Sequence, residues 1–401
     1  MEAHMRRNQV LYMLLRFLVA ACIFGSALVL VSGRVCLVSG RDYRMLERYA
    51  KLETVRAIIE EEYYQEADNE MLMDGAIAGM LSVLDDPYTF YYTPEMMQQR
   101  NDQLSGVYHG VGLLLQANDA GEIEVLRVYA GSPAEQAGLL AGDILLKADD
   151  VTVSAQDTQA FDEAVARISG EDGTVIRLAV RRNGEILEMD VVRGSVVSSS
   201  AEWAMLERGI GYISIFQFGG DAAQVFTEAL DALEEQEMRA LIIDVRSNPG
   251  GTLDDVVAIA DEILPEGLIV YMETRKGERD EYYSDGEYCA VPLAVLVNGG
   301  SASASEVLAA AVQDHERGAV IGTQTFGKGV VQAVVEFPDD GSGLQYTIAA
   351  YYTPGGRSIH ESGVTPDLIV EGDALPSLAG NPDVENDAQL QAAIEWLLQA
   401  E

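Results

Sequence analysis

The chain has 401 residues and a formal net charge of −39, with 65 acidic side chains against 26 basic ones. That length exceeds what one hydrophobic core usually organises and predicts two or three domains. Negative charge on this scale repels a phosphate backbone and excludes nucleic acid as a partner, leaving a solvated acidic surface as its role. The three cysteines, one of them inside an apolar stretch, do not make a disulfide framework.

Residues 17–33 carry no charge and follow Arg6, Arg7 and Arg16. Their length is close to the ~20 residues of a bilayer-spanning helix. The preceding basic residues predict a cytoplasmic N-terminus and a single pass through the cell membrane, although Arg34, Arg41 and Arg44 reduce the asymmetry. No small-x-small cleavage site follows Val31, so an uncleaved anchor is expected over 1–42. Residues 43–105 read as a helical arm. Tyr49, Leu52, Val55, Ile58 and Ile59 recur at helical spacing, and 71–84 form a second periodic run that Pro87 and Pro94 punctuate. Nothing in this arm suggests chemistry.

From 106 to 195 the pattern becomes short strands, glycine-bearing turns and two short helices near 133–137 and 160–168, which predicts a β-rich module. Over 196–374 buried strands alternate with helices. The expected order is a strand from Gly209, helix 222–235, strand 240–244, helix 253–264, strand 293–297 and helix 305–315, an α/β core. A terminal amphipathic helix at 387–398, within the segment 375–401, can pack on its own domain or against a second subunit.

Strand 293–297 runs through Asn298-Gly-Gly-Ser-Ala-Ser-Ala-Ser-Glu306 straight into a helix. A hydroxyl at such a turn stands at the sheet edge, beside N–H groups that lack intrahelical partners. The run from Ser303 to Glu306 also spells a capping box, so the local residues allow either a helix cap or a nucleophile.

A hydroxyl nucleophile needs a base. Of the four histidines, His4 precedes the apolar stretch, His109 lies in the β module and His360 follows a turn. His315 is about three helical turns from Ser303, so a Ser-His-Asp triad has weak support. Lys328 stands between two glycines ahead of a strand whose alternation puts Lys328, Val330 and Gln332 on one face. There the Gln332 amide could orient the amine, and desolvation would lower the lysine pKa. An ordinary turn lysine fits the same local residues. After strand 240–244 comes Val245-Arg-Ser-Asn-Pro-Gly-Gly251, whose amides suit an oxyanion or a phosphate. No lysine and hydroxyl pair follows these glycines, so a P-loop is excluded.

The segments Asp244-Val-Arg-Ser-Asn-Pro-Gly-Gly251, Ser301-Ala-Ser-Ala-Ser-Glu306 and Phe326-Gly-Lys-Gly-Val-Val-Gln332, in this order, resemble the carboxyl-terminal processing proteases, also called tail-specific proteases. Leu84-Asp-Asp-Pro-Tyr88 and Gly209-Ile-Gly-Tyr-Ile213 extend the likeness from about Lys51 to the C-terminus. The resemblance implies a multidomain α+β fold with an α/β core of the ClpP/crotonase-like type. It also implies Ser303 as nucleophile, Lys328 as base and Gln332 as the third member. The oxyanion donors would be the Ala304 amide and that of Gly250 or Gly251, with no metal or organic cofactor.

The β module resembles a PDZ domain in its loop Gly110-Val-Gly-Leu113 and in Gly131-Ser-Pro-Ala-Glu-Gln-Ala-Gly138 with Ala141-Gly-Asp-Ile-Leu145. This implies that Gly110, Val111, Gly112 and Leu113 receive the apolar C-terminal tail of a protein or peptide substrate. The family also implies gating by the PDZ module and a homodimer formed through terminal helices. Val330 and His360 depart from the family pattern, which bears on substrate choice. The alternatives are a tail-binding scaffold without activity and a hydrolase of small esters or amides. Retention of Ser303, Lys328 and Gln332 argues against the first, and the tail-reading module against the second.

Overall fold

The computed structural model describes residues 27–31, 34–38, 40–118, 120–129, 131–197, 199–372, 382 and 384–400. They fall into two units, one ending at Asp85 and one beginning at Asp86. In the first, Ala27–Val31 and Arg34–Val38 pair antiparallel and are followed by the helices Gly40–Glu62 and Asn69–Ser82. The Asp68 carboxylate caps the second helix by accepting from the Glu70 and Met71 N–H groups. Most of the expected membrane helix lies outside the described residues. Its last part, Ala27–Val31, is strand instead of helix, because the β-branched Val29, Val31, Val35 and Val38 favour an extended pair. Among the described residues no helix is long and apolar enough to cross a membrane.

The second unit begins with another departure from the helical expectation. Phe90–Tyr92 is a strand, paired with the start of Gly343–Tyr352. Three successive aromatic residues fit a pleated, half-buried surface better than a helix. The helix Pro94–Leu104 follows, with Thr93 as its cap and Pro94 in its first turn. Leu113–Ala117, Ile123–Val128, Ile144–Ala148, Val175–Arg182 and Glu185–Val192 then form an antiparallel sheet around Ile123, Leu145, Ile176 and Val180. The helix Thr158–Ile168 flanks it. Val107–Gly110 pairs with Gly194–Val197, so the chain enters and leaves this β module through one two-stranded ladder.

The α/β core is a six-stranded sheet in the order Ala201–Leu206, Ile210–Ile215, Ala240–Asp244, Leu293–Val297, Ala319–Gly322 and Leu368–Ile369. All its pairings are parallel except the first. Continuous apolar runs such as Leu293-Ala-Val-Leu-Val297 are what a sheet covered on both faces needs. Leu293, Val295 and Val297 face the helices Ala222–Glu235, Leu253–Asp261 and Ala304–Asp314. Ala294 and Leu296 face the terminal helix Ala388–Ala400 through Leu390, Ala393 and Leu397. The terminal helix therefore packs on its own core. A second, antiparallel sheet, which the sequence pattern did not reveal, joins Gly267–Thr274, Arg279–Ser284, Val330–Glu336 and Gly343–Tyr352 to Phe90–Tyr92. It carries the segment that follows Lys328.

Candidate active site

Ala240–Asp244 and Leu293–Val297 are neighbouring parallel strands, with Asp244 opposite Leu296. Their C-terminal ends therefore release the glycine loop and the serine turn side by side, the place where open α/β sheets hold their ligands. The two loops are laced together. Ser301 Oγ donates to the Val245 carbonyl at 2.7 Å, Ser305 Oγ to the Asn248 carbonyl at 2.9 Å, and the Ala302 N–H to that same carbonyl at 3.0 Å. Ser301 and Ser305 thus bond across to the next strand's loop, and Ser301 Oγ also accepts the Asn298 N–H at 3.0 Å within its own turn.

Ser303 is held at φ 54° and ψ −112°, a left-handed conformation unusual for a residue with a β-carbon. Strain of about 1–3 kcal/mol persists only where the surroundings enforce it. Glu306 supplies much of that enforcement. Its buried carboxylate accepts the Ser303 N–H at 2.8 Å and the Lys328 N–H at 2.9 Å on Oε2. On Oε1 it accepts Thr325 Oγ1 at 2.6 Å and the Gly327 N–H at 2.7 Å. One carboxylate therefore fixes the backbone of both expected catalytic residues. The residues of a capping box are all in place, yet the Ser303 hydroxyl makes no cap hydrogen bond, and the Glu306 N–H donates instead to the Ser303 carbonyl at 2.9 Å.

Ser303, Lys328, Gln332, Gly250 and Gly251 line one cavity of about 360 Å³. Lys328 stands on the loop before Val330–Glu336. A bulge between Val331 and Gln332 interrupts the simple alternation, and Val331 lines the cavity together with Val330 and Gln332. Burial pulls the Lys328 ammonium below the ordinary lysine range, and the Glu306 carboxylate restores part of the shift. Among the described residues no hydrogen bond joins Lys328 Nζ to Ser303 or Gln332; the amine lies 5.0 Å from the centre of the Tyr88 ring. Gln332 Nε2 is buried without a hydrogen-bond partner. Tyr88 was read as part of an arm without chemistry. Asp86 holds its turn by accepting the Tyr88 N–H at 2.9 Å, and the signal was present in Leu84-Asp-Asp-Pro-Tyr88.

At the glycine loop, Gly250 packs so closely that a β-carbon there would stand 2.8 Å from Ser303 Cβ and 3.0 Å from the Ala304 nitrogen. The Gly250 N–H donates to Asn248 Oδ1 at 2.8 Å. Among the described residues the Ala304 and Gly251 N–H groups have no such partner. The Gly251 amide, unlike that of Gly250, is therefore left available to a ligand. Among the described residues no histidine lines this cavity. His315 ends the Ala304–Asp314 helix with Nε2 2.7 Å from the Leu268 carbonyl, and His109 bridges Asp102 and Asp172 in the β module.

A model of peptidase family S41 matches residues 209–370, one of the activating protease CtpB N-terminal domain matches 37–96, and a PDZ model matches 124–182. The carboxyl-terminal-processing protease of Synechocystis sp. is 38% identical over 330 residues, covering 80% of this chain and 76% of the relative. The chain belongs to peptidase family S41, among the carboxyl-terminal processing proteases. This S41 enzyme is a serine peptidase of multidomain α+β fold with a PDZ domain. The carboxy-terminal processing protease CtpA of Bacillus subtilis is 34% identical over 343 residues, covering 85% of this chain and 72% of the relative. Among solved structures, a photosystem II D1 C-terminal processing protease superposes with a TM-score of 0.51 at 29% identity, over 86% of this chain and 94% of that one.

The S41 peptidase carries a second cavity of about 260 Å³ in its PDZ domain, lined by Gly110, Val111, Gly112 and Leu113 and closed by Val165 and Ile168 of the flanking helix. The loop is pinned by its carbonyls, Val111 accepting the Ala134 N–H at 2.8 Å and Gly112 the Tyr129 N–H at 3.1 Å. Gly112, at φ 82°, has no room for a β-carbon against Ser132. The expected tail-binding residues are thus together on an apolar groove.

Proposed function

We propose that this peptidase acts through a Ser-Lys dyad, Ser303 and Lys328, on proteins selected by their apolar C-terminal tails. The observation that carries the reading is the convergence of Ser303, Lys328 and Gln332 on one cavity beside the Ala304 and Gly251 amides. A lysine whose pKa is lowered by burial more readily offers a neutral amine, which can take the Ser303 hydroxyl proton once the side chain turns from the Tyr88 ring to the serine. The alkoxide attacks the scissile carbonyl, and the amides of Ala304 and Gly251 receive the oxyanion. Protonated Lys328 then gives its proton to the leaving amine, and water releases the acyl group by the reverse exchange. The unpartnered Gln332 Nε2 suits a donor that holds either a substrate carbonyl or the lysine amine in line.

The tail would add as a strand beside Leu113–Ala117, with its carboxylate on the loop amides and its last side chain in the groove. The charge-free stretch 17–33 supports a single membrane anchor and an extracytoplasmic peptidase. Exposed Tyr49, Leu52, Val55 and Ile58, on one helix, support a second copy as partner. The test is cleavage of an unfolded protein with an apolar tail by wild type, Ser303→Ala and Lys328→Ala. Both substitutions should lower turnover at least about a thousandfold, and amidation of the tail should raise KM. Cleavage that survives either substitution rejects the dyad, and indifference to amidation rejects tail reading.

A further inference from the structure

The catalytic cavity contradicts the composition of the chain that builds it. The sequence has 65 acidic residues, yet among the described residues no aspartate or glutamate lines the cavity, and the cations that do are Lys328 and Arg100. Its remaining polar lining is neutral, chiefly Gln103, Gln217, Gln332 and Gln345. A cleft of one sign with low-dielectric walls focuses its field on whatever enters. Lys328 must be neutral to act as a base, which leaves Arg100 as the lasting charge.

Arg100 belongs to the arginines that no carboxylate holds; Arg193 and Arg317 are others, and those two are occupied by main-chain carbonyls. Arg182, Arg246 and Arg357 each reach a carboxylate, at 2.6, 2.6 and 2.5 Å. Among the described residues Arg100 has no carboxylate within ion-pair distance. It meets neutral groups instead, the Asn101 side chain at 3.3 Å and Tyr92, through both the hydroxyl and the ring, whose centre lies 5.9 Å away. Nor is it a loose surface side chain, since the end of its helix Pro94–Leu104 is docked on the core. Gln217 Nε2 donates to the Gln103 carbonyl at 3.1 Å, and Gly219 packs against the Leu104 carbonyl.

We propose that the catalytic cleft selects peptides with an acidic side chain within a few residues of the scissile bond, and that Arg100 is the residue that receives it. The inference rests on the peptidase reading of this cavity and adds a substrate class to it. The planar guanidinium offers paired N–H donors matched to a carboxylate, and partial exclusion of water strengthens the pair. The net charge of −39 repels a strongly acidic chain at long range. One acid in an otherwise neutral or apolar stretch is therefore the preferred form.

The test uses the full-length enzyme and peptides identical except for Glu, Gln or Lys at each of the three positions on either side of the cleaved bond, with free or amidated C-termini. Wild type should show kcat/KM about tenfold or more higher for Glu than for Gln at one position, the range of a charge-assisted hydrogen bond. That ratio should fall as salt is raised. Arg100→Gln should bring the ratio to about one and Arg100→Glu should turn it toward the Lys peptide, with circular dichroism confirming the fold of each variant. Equal rates for Glu and Gln at every position, or a ratio that Arg100→Gln leaves intact, overturn the inference while the peptidase stands. A Glu preference that vanishes on amidation would give Arg100 to the terminal carboxylate and equally overturn it. No cleavage of any peptide beyond that of Ser303→Ala would overturn the peptidase reading itself, and this inference with it.

Discussion

Glu306→Gln is the most informative single change in the site, because it keeps the size of the side chain and removes half its accepting capacity. The carboxylate accepts two donors on each oxygen: Thr325 Oγ1 and the Gly327 N–H on one, the Ser303 and Lys328 N–H groups on the other. Glutamine can serve one of these pairs with its carbonyl but must turn its NH₂ group toward the other. Two buried donors then face a donor. At about 1–3 kcal/mol for each unsatisfied group, the variant should lose about 2–6 kcal/mol of stability, measurable by urea unfolding.

The same change acts on the chemistry. The Glu306 charge raises the Lys328 pKa against the larger, opposite pull of burial. Removing it lowers that pKa further. Because the proposed base, Lys328, works in its neutral form, activity should rise with pH through the Lys328 pKa, and this acid limb should move to lower pH in Glu306→Gln. Its kcat should fall because the backbones of Ser303 and Lys328 lose their common anchor. Unchanged unfolding midpoint and kcat, or an acid limb moved to higher pH, would refute the reasoning.

Lys328→Arg should be inactive at every pH below the guanidinium range, since arginine stays protonated; turnover near neutral pH would exclude Lys328 as the base. Gly250→Ala should lower kcat on the order of a hundredfold with KM little changed, because its β-carbon would press on Ser303 Cβ and the Ala304 amide, the proposed oxyanion donor. An equal effect on KM alone would point to substrate binding instead. Asp387→Ala should cost about 3–5 kcal/mol, because it removes one of two carboxylates around a buried arginine charge. Arg246 donates to Asp387 at 2.7 Å and to Asp244 at 2.6 Å, and this pairing ties the terminal helix to the glycine loop's strand. Urea unfolding reads that loss, and a change under about 1 kcal/mol would remove the network from the stability of the fold.

The alternation of strands and helices from Gly209 onward was legible because each element writes its period into a run of apolar residues. Ala222–Glu235, Ala240–Asp244 and Leu293–Val297 lie where that pattern expects them. Phe90–Tyr92 was misread as helix, and the antiparallel sheet it joins was not anticipated. Its strands are partly exposed and mixed in composition, and Phe90–Tyr92 pairs with a strand more than two hundred residues away, which no local period records.

The linear order of Ser303, Lys328, Gln332 and the glycine loop, and the family they mark, could be read from residue identity alone, because the chemistry demands particular side chains in particular turns. What remained for the tertiary structure was every relation between turns distant in the chain. It showed that Glu306, a plausible helix cap, spans the serine and lysine loops, that Asn248 occupies the Gly250 amide and leaves that of Gly251 free, and that Tyr88 covers the lysine. It also brought Arg100 into the cleft from a helix outside the core. A hydrogen bond or a field depends on distances of a few ångströms in space, and sequence separation carries no information about those until the chain has folded.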